Sequence, residues 1–109
     1  MKKPRAAAWW VYILECHSGL LYTGIAKDVD ARFEAHVNGK GAMFTRLNRP
    51  IKILGKASLN TRGKALRAEY ALKQPPRADK LRWCAKGLDV FVERVRQVRV
   101  IALVGKRPI

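Results

Sequence analysis

Two apolar runs joined by a short polar turn near the N-terminus constrain the fold more than any other feature of this chain. The first run, residues 9–16 (WWVYILEC), is rich in aromatic and β-branched side chains, and the second is residues 20–25 (LLYTGI). Between them stands His17-Ser18-Gly19. Runs of this kind around a turn predict a β-hairpin. Both of its faces are apolar, so helices are expected to cover the sheet on each side.

The length of the hairpin loop decides whether Tyr12 and Tyr22 lie on the same face of the sheet. A two-residue loop would place the two rings on opposite faces. A three-residue loop with Gly19 in the left-handed conformation would instead pair Leu14 with Tyr22. The same register pairs Tyr12 with Gly24, so the tyrosines become diagonal neighbours with backbones roughly 7–8 Å apart. We predict this second loop because Gly19 is its third residue.

The segment after the hairpin has the signals of a short helix. Asp28 is a suitable N-cap, and Gly39 is a suitable stop, for a helix from Val29 to about Asn38. Arg32 and His36 lie one turn apart on this helix, beside its apolar stripe. The stripe consists of Val29, Phe33 and Val37.

The rest of the chain up to residue 87 predicts one more strand and two more helices. Asn60 or Thr61 caps the first of these helices, and Pro75-Pro76 ends it. The predicted elements are a basic loop at residues 39–50, a strand at 51–57, a helix ending at Gln74 and a helix at about 77–86. The fold class is therefore α/β of the α+β type, a small three-stranded antiparallel sheet flanked by helices in the order β-β-α-β-α-α.

A chain of 109 residues corresponds to a single domain. Hydrophobic residues make up 49% of it, which favours folding over disorder. We place the domain at residues 9–87, between a basic N-terminal tail (1–8) and a basic, apolar C-terminal extension (88–109). Apolar positions in the extension fit both a helix and a strand. We expect a weakly specified segment that is helical at its start and irregular at its end.

The charge of the chain is strongly one-sided. It has 23 Lys and Arg against 8 Asp and Glu, a formal net charge of +15, and nucleic acid is the usual partner for such an excess. A membrane-surface helix is disfavoured because the charges are spread along the whole chain. No run approaches the roughly 20 apolar residues of a membrane span. The N-terminus begins like a signal peptide, with basic residues followed by a mostly apolar stretch, but Glu15 and His17 interrupt the pattern. We therefore expect a soluble, cytoplasmic protein.

Four segments of the sequence form a set of motifs: Trp10-Val11-Tyr12, Tyr22-Thr23-Gly24, the helix stretch 28–36 (DVDARFEAH) and Glu69. Together they resemble the motifs of the GIY-YIG nuclease family. The resemblance spans roughly residues 9–86. The first two motifs depart from the family name, because Trp and Val replace its first Gly and Ile, and Thr replaces its middle Ile. Within the family the chain looks like the small, stand-alone bacterial group related to excision-repair and structure-specific nucleases.

The resemblance implies a role for each of five side chains. Glu69 would hold Mg²⁺ (or Mn²⁺), an ion that often takes only one or two carboxylates and completes its shell with water and phosphate oxygen. Arg32 would grip the phosphate with its planar fork of donors. Tyr12 would activate the attacking water or relay its proton, with positive neighbours favouring the phenolate. Tyr22 and His36 would orient groups or transfer protons.

Each of these residues also has an ordinary structural explanation. Glu69 is placed to pair with Lys73 one turn on, and Arg32 is placed to pair with Asp28. His36 would then be a helix-surface histidine, and the tyrosines would be core aromatics of the strands.

Resemblance and charge together imply a metal-dependent endonuclease that acts on DNA, with cleavage either weak or selective for DNA structure. We expect Lys27, Lys40 and Arg46 to contact phosphates without reading bases. Two alternatives stay open at this point. One is a basic nucleic-acid-binding module that kept the fold and lost turnover. The other is an accessory subunit, suggested only by the apolar extension.

Overall fold

The structure is a computed structural model that describes residues 8–95. Three strands and four helices are bounded within this range, and residues 88–95 are also helical. The strands are β1 (Trp9–Cys16), β2 (Leu21–Ala26) and β3 (Pro50–Leu59). The helices are α1 (Val29–Val37), α2 (Met43–Leu47), α3 (Arg62–Lys73) and α4 (Arg77–Lys86).

The predicted hairpin and its register are confirmed. Leu14 is paired with Tyr22 and Tyr12 with Gly24. Gly19 has a φ of 86°, the left-handed conformation that the three-residue loop requires. The Gly19 N–H donates to the carbonyl oxygen of Cys16 at 2.8 Å and closes the turn.

The sheet is antiparallel throughout, with β1 in the centre and strand order β2-β1-β3. The third strand extends from Pro50 to Leu59 and is longer than the predicted 51–57. Its pairing with β1 shifts register between Ile13 and Leu14. Because β1 is paired on both edges, its side chains are held in fixed positions on both faces of the sheet.

The two faces of β1 belong to two separate clusters of buried residues, as the apolar hairpin predicted. On one face, Val11 and Ile13 pack against α3 and the helical segment at residues 88–95. On the other face, Tyr12 and Leu14 pack with Val29 of α1. Tyr12 therefore lies in the cluster between the sheet and α1. Leu20, the first residue of the second apolar run, lies at the turn with 47% of its surface exposed.

The helix boundaries agree with their sequence signals except in the loop between α1 and β3. Thr61 caps α3 by accepting a hydrogen bond from the Lys64 N–H at 3.1 Å. The prediction of an irregular loop at residues 39–50 is wrong for α2, where the chain forms five residues of helix (Met43–Leu47). Side-chain contacts to the backbone stabilise this turn, including a 3.0 Å bond from Asn48 Nδ2 to the Phe44 carbonyl.

The extension after residue 87 begins as a helix, as predicted, and this part joins the core. The buried residues of this segment are Leu88, Phe91 and Val92. The predicted irregular end at residues 96–109 and residues 1–7 of the basic tail lie outside the described residues. Within residues 8–95, no helix has the length and apolar character needed to cross a membrane.

Candidate functional site

Tyr12 and Tyr22 form the floor of the candidate site, on the sheet face that α1 covers. Their ring centroids are 6.4 Å apart, so the predicted pairing of the phenols is confirmed. Gly24 makes this possible. A Cβ at residue 24 would lie 2.6 Å from Tyr12 Oη and 3.1 Å from Tyr22 Cε2. The final glycine of the second motif therefore gives the two rings the space to share one face.

His36 reaches the phenols from α1 and is fully buried, with 1% of its surface exposed. Its Nε2 lies 3.0 Å from Tyr12 Oη, and its ring meets Tyr22 edge-on at a centroid distance of 5.1 Å. The surface-histidine alternative is therefore wrong. The predicted apolar stripe is correct for Val29, but the inner face of α1 is turned so that His36 is buried more deeply than Phe33.

Thr45 of α2 contacts the other ring nitrogen of His36. It is not among the predicted site residues. Its Oγ1 lies 2.7 Å from His36 Nδ1 and 2.8 Å from the carbonyl oxygen of Ala42. Thr45 has no exposed surface. Gly41 closes against the same ring, since a Cβ at residue 41 would lie 1.9 Å from His36 Nδ1. The α1–β3 connection is thus folded around the histidine.

Burial shifts the pKa values of His36 and Tyr12 in opposite directions. It lowers the pKa of His36, and the nearby Arg32 charge lowers it further, so the imidazole is neutral at pH 7. Burial raises the pKa of Tyr12 well above its ordinary value, and Tyr22 adds to the increase. The Arg32 charge opposes this but is a smaller effect. Without a metal, burial therefore outweighs Arg32, and the expectation that Arg32 together with the metal favours the phenolate stays a prediction.

Arg32 is exposed on α1 and makes no ion pair among residues 8–95. The Asp28 carboxylate instead accepts a hydrogen bond from the Ala31 N–H at 3.0 Å, so the pairing of Asp28 with Arg32 is not observed. The charge of Arg32 lowers the pKa of both Tyr12 and Tyr22 relative to burial alone. The guanidinium is thus close enough to affect the phenols and has donors to spare for a ligand.

Glu69 lies on α3, whose buried residues pack on the sheet face opposite Tyr12, and 19% of its side-chain surface is exposed. Its Oε2 is 3.3 Å from Lys73 Nζ, so the predicted ion pair is present. Its negative charge nevertheless contributes to the raised pKa of Tyr12 and Tyr22. Lys73 also affects the Tyr22 pKa, in the opposite direction. The carboxylate therefore acts on the same two phenols as Arg32.

Within residues 8–95, the side chains suit a hard cation such as Mg²⁺ only as a site with a single carboxylate. No group of three or more His, Cys, Asp and Glu side chains able to hold a metal occurs in the part of the chain that the structure describes. A single partly exposed carboxylate is still compatible with Mg²⁺, which keeps several waters and takes oxygen from a phosphate. Glu69 fits that role because its side chain is partly exposed and its charge affects the pKa of both phenols.

The family model of the GIY-YIG catalytic domain matches residues 8–82. The chain belongs to the GIY-YIG family. A UPF0213 protein of Cupriavidus pinatubonensis is 45% identical over 78 residues, which cover 72% of this chain and 87% of that protein. A UPF0213 protein of Staphylococcus epidermidis is 44% identical over 78 residues, which cover 72% of this chain and 95% of that protein.

One solved structure is also similar in sequence to this GIY-YIG domain. It is the solution NMR structure of a UPF0213 protein from Bacillus halodurans, 37% identical, with a TM-score of 0.46. The match covers 72% of this chain and 83% of that one.

The basic residues of this GIY-YIG domain differ in what they contact. Lys27, Lys40 and Arg46 are exposed, as phosphate contacts require. Arg46 directly follows Thr45 on α2, whereas the Lys27 ammonium lies 5.5 Å from the centroid of the Trp9 ring, which packs on the opposite sheet face. Other arginines bind the backbone instead. Arg49 Nη1 donates to the Val37 carbonyl at 2.7 Å, so charge alone does not identify ligand contacts.

Sequence reasoning missed three contributors to this site. Thr45 and Gly41 hold His36, and Phe44 stacks on Tyr22 at a centroid distance of 5.8 Å. The only available signal was that residues 45 and 46 fall in the connection that borders the site. A threonine in a predicted loop carries no mark of full burial, and that burial depends on the unpredicted helix α2.

Proposed function

We propose that this protein is a metal-dependent endonuclease that hydrolyses phosphodiester bonds in DNA. The observation that carries the proposal is the buried contact of 3.0 Å between Tyr12 Oη and His36 Nε2. A neutral histidine joined to a phenol is able to receive a proton. The net charge of +15 attracts a polyanionic substrate to the domain.

The proton path follows from the opposing effects of burial on the two partners. The raised pKa of Tyr12 makes an isolated phenolate unfavourable, while the lowered pKa of His36 keeps the imidazole neutral. A relay avoids the isolated phenolate. Water loses a proton to Tyr12 Oη as the original phenol proton passes to His36 Nε2. The oxygen of that water attacks phosphorus in line, and the bond from phosphorus to the leaving oxygen breaks.

Two groups at the rim would stabilise the charge of the phosphate. Arg32 has donors free for two phosphate oxygens, and its charge persists as the fifth bond to phosphorus forms. Glu69 would hold Mg²⁺ or Mn²⁺, exchanging its contact with Lys73 for the ion. When bound, the ion would neutralise part of the phosphate charge. Tyr22, whose pKa is affected by the charges of both groups, would orient the water or the phosphate.

The exposed basic residues would hold the DNA backbone. Lys27, Lys40 and Arg46 would make phosphate contacts that set affinity rather than sequence preference. Lys27 lies beside Trp9, which packs on the sheet face opposite the phenols, so its contact requires DNA that extends past the edge of the sheet. Because these contacts are to the DNA backbone and not to the bases, selectivity would come from the shape of the DNA.

One observation favours the alternative of a binding module without turnover. The Glu69 carboxylate is already paired with Lys73, and an ion pair of this kind is a sufficient structural reason for its presence. A binding module of this type would bind nucleic acid in a salt-sensitive manner and yield no metal-dependent product.

Cleavage of supercoiled plasmid with Mg²⁺ or Mn²⁺ distinguishes the two functions. We expect nicked product from the wild-type protein, and loss of it on adding EDTA or with Glu69→Gln. Glu34→Gln removes the same charge from the exposed side of α1 and should cleave normally. Equal cleavage by Glu69→Gln would reject the metal role of Glu69. DNA binding without any product from the wild-type protein would support the binding module.

A further inference from the structure

The proton of the Thr45 hydroxyl has one position that satisfies both of its contacts. Thr45 Oγ1 is 2.8 Å from the Ala42 carbonyl oxygen and 2.7 Å from His36 Nδ1. A carbonyl oxygen only accepts hydrogen bonds, so the Thr45 proton must lie toward Ala42. If it lay toward His36, two oxygens would face each other at 2.8 Å with no proton between them.

The position of that proton determines the tautomer of His36. With its only proton directed to Ala42, Thr45 accepts a hydrogen bond from the imidazole, so Nδ1 carries the proton of the neutral ring. Nε2 is then an acceptor. The acceptor nitrogen is the one that lies 3.0 Å from Tyr12 Oη. Tyr12 must therefore donate to His36, which is the direction a proton relay requires.

We propose that Thr45 is a positioning residue that fixes His36 as the Nδ1–H tautomer, leaving Nε2 free to take the phenol proton of Tyr12. The proposal deepens the proposed nuclease function and, in its catalytic part, rests on it. With the opposite tautomer, Nε2–H would donate to Tyr12. The phenol proton would then point away from His36, the base that contacts it among residues 8–95, and the proton could not pass to the imidazole.

The packing around Thr45 explains why this control is effective. Thr45 is completely buried and His36 is 1% exposed, so solvent has little access to either partner. A bond from a threonine hydroxyl to the carbonyl three residues earlier is a common local pattern. Here it uses the hydroxyl proton that would otherwise be offered to the ring. Gly41, whose backbone lies against the same nitrogen, limits movement of the imidazole.

Two substitutions separate the hydroxyl from the shape of the side chain. Thr45→Val keeps the branched shape and removes the hydroxyl, so Nδ1 loses its acceptor. Thr45→Ser keeps the hydroxyl and loses only a methyl group. A role in hydrogen bonding predicts that Val is defective and Ser is close to wild type. A role in packing alone predicts the reverse order.

The tautomer is measured directly by ¹⁵N NMR of the histidine ring nitrogens at pH 7.5, which needs neither DNA nor metal. The chain has two histidines, and His17→Gln assigns the signals. We expect Nδ1 to be protonated in the wild-type protein and in Thr45→Ser, and the population to move toward Nε2–H in Thr45→Val. A wild-type spectrum with Nε2 protonated would overturn the proposal, and this result does not depend on whether Thr45→Val folds. An unchanged tautomer in folded Thr45→Val would also overturn it.

Kinetics test the catalytic part. With cleavage-competent protein, Thr45→Val should lower kcat on the order of 100-fold, with little change in KM, and Thr45→Ser should restore it. Equal kcat for Thr45→Val and wild type would overturn the positioning role. If the wild-type protein cleaves no DNA, the proposed function fails, whereas the expected ring spectrum would still support the Thr45 assignment.

Discussion

The hydroxyl oxygen of Tyr12 lies 3.0 Å from Nε2 of His36, although 24 positions separate the two residues in the chain. The central strand supplies the phenol, and the first helix supplies the imidazole. Burial shifts their pKa values apart, upward for Tyr12 and downward for His36. The pair is therefore a neutral donor and a neutral acceptor, the arrangement from which a proton relay starts.

Substitution of Gly24 tests the packing that lets the two phenols share a face. We expect Gly24→Ala to lower the free energy of unfolding by about 1–3 kcal/mol, because the new Cβ would lie 2.6 Å from the buried Tyr12 Oη. Urea unfolding measures this change. The control is Gly63→Ala in α3, where the nearest atoms are 4.0 Å from the added Cβ. It should raise stability by about 0.4–1 kcal/mol. Equal effects at both positions would contradict the packing argument.

The stability of the domain should depend on pH through His36. Its pKa is lowered in the folded protein, and an unfolded histidine has a pKa of about 6.5. Between these two values the unfolded chain binds more protons, so the free energy of unfolding rises with pH. Acidification from pH 7 through 6.5 should therefore destabilise the protein until the pH falls below the folded-state pKa.

Urea unfolding across this pH range measures the effect. His36→Gln should reduce the pH dependence, whereas His17→Gln, in the exposed turn, should retain it. An identical pH dependence in wild type and His36→Gln would show that the buried imidazole is not the source.

The fold was largely predictable, because its main signals are local. The position of Gly19 as the third loop residue was enough to predict the register of the first hairpin, since the length of the loop fixes the strand pairing. Caps and prolines were enough for α1, α3 and α4. The five-residue α2 was not predictable, because it is too short for an apolar periodicity and leaves Met43 and Leu47 exposed.

The site was predictable only in part. The family motifs identified five residues: Tyr12, Tyr22, Arg32, His36 and Glu69. In the structure, the charges of Arg32 and Glu69 affect the pKa values of both tyrosines, and the charge of Arg32 also affects that of His36. Their catalytic roles stay predictions. The burial of His36 and the bond from Thr45 could not be predicted, because both depend on how the α1–β3 connection folds back over the ring. The raised pKa of Tyr12 could not be predicted either, since burial outweighs Arg32 only in the folded protein.

DNA affinity should depend on Arg46 through phosphate contact. Each phosphate contact with duplex DNA contributes about 0.9 to the slope of log K against log salt. We expect Arg46→Gln to weaken binding and to reduce the magnitude of the slope by about that amount, as measured by fluorescence anisotropy. Lys86→Gln removes an equal charge from α4, which packs on the sheet face opposite the phenols. A larger change in slope for Lys86→Gln would place the DNA on the other face.

The rate of metal-dependent DNA cleavage by Tyr12→Phe tests the central claim most directly, because this substitution removes only the hydroxyl from which the relay begins. We predict a loss of about 10²–10⁴-fold in single-turnover rate, with the fold retained. Tyr70→Phe deletes the same group from α3, where Tyr70 is 71% exposed, and should cleave at the wild-type rate. Cleavage by folded Tyr12→Phe at the rate of wild type and Tyr70→Phe would contradict the account.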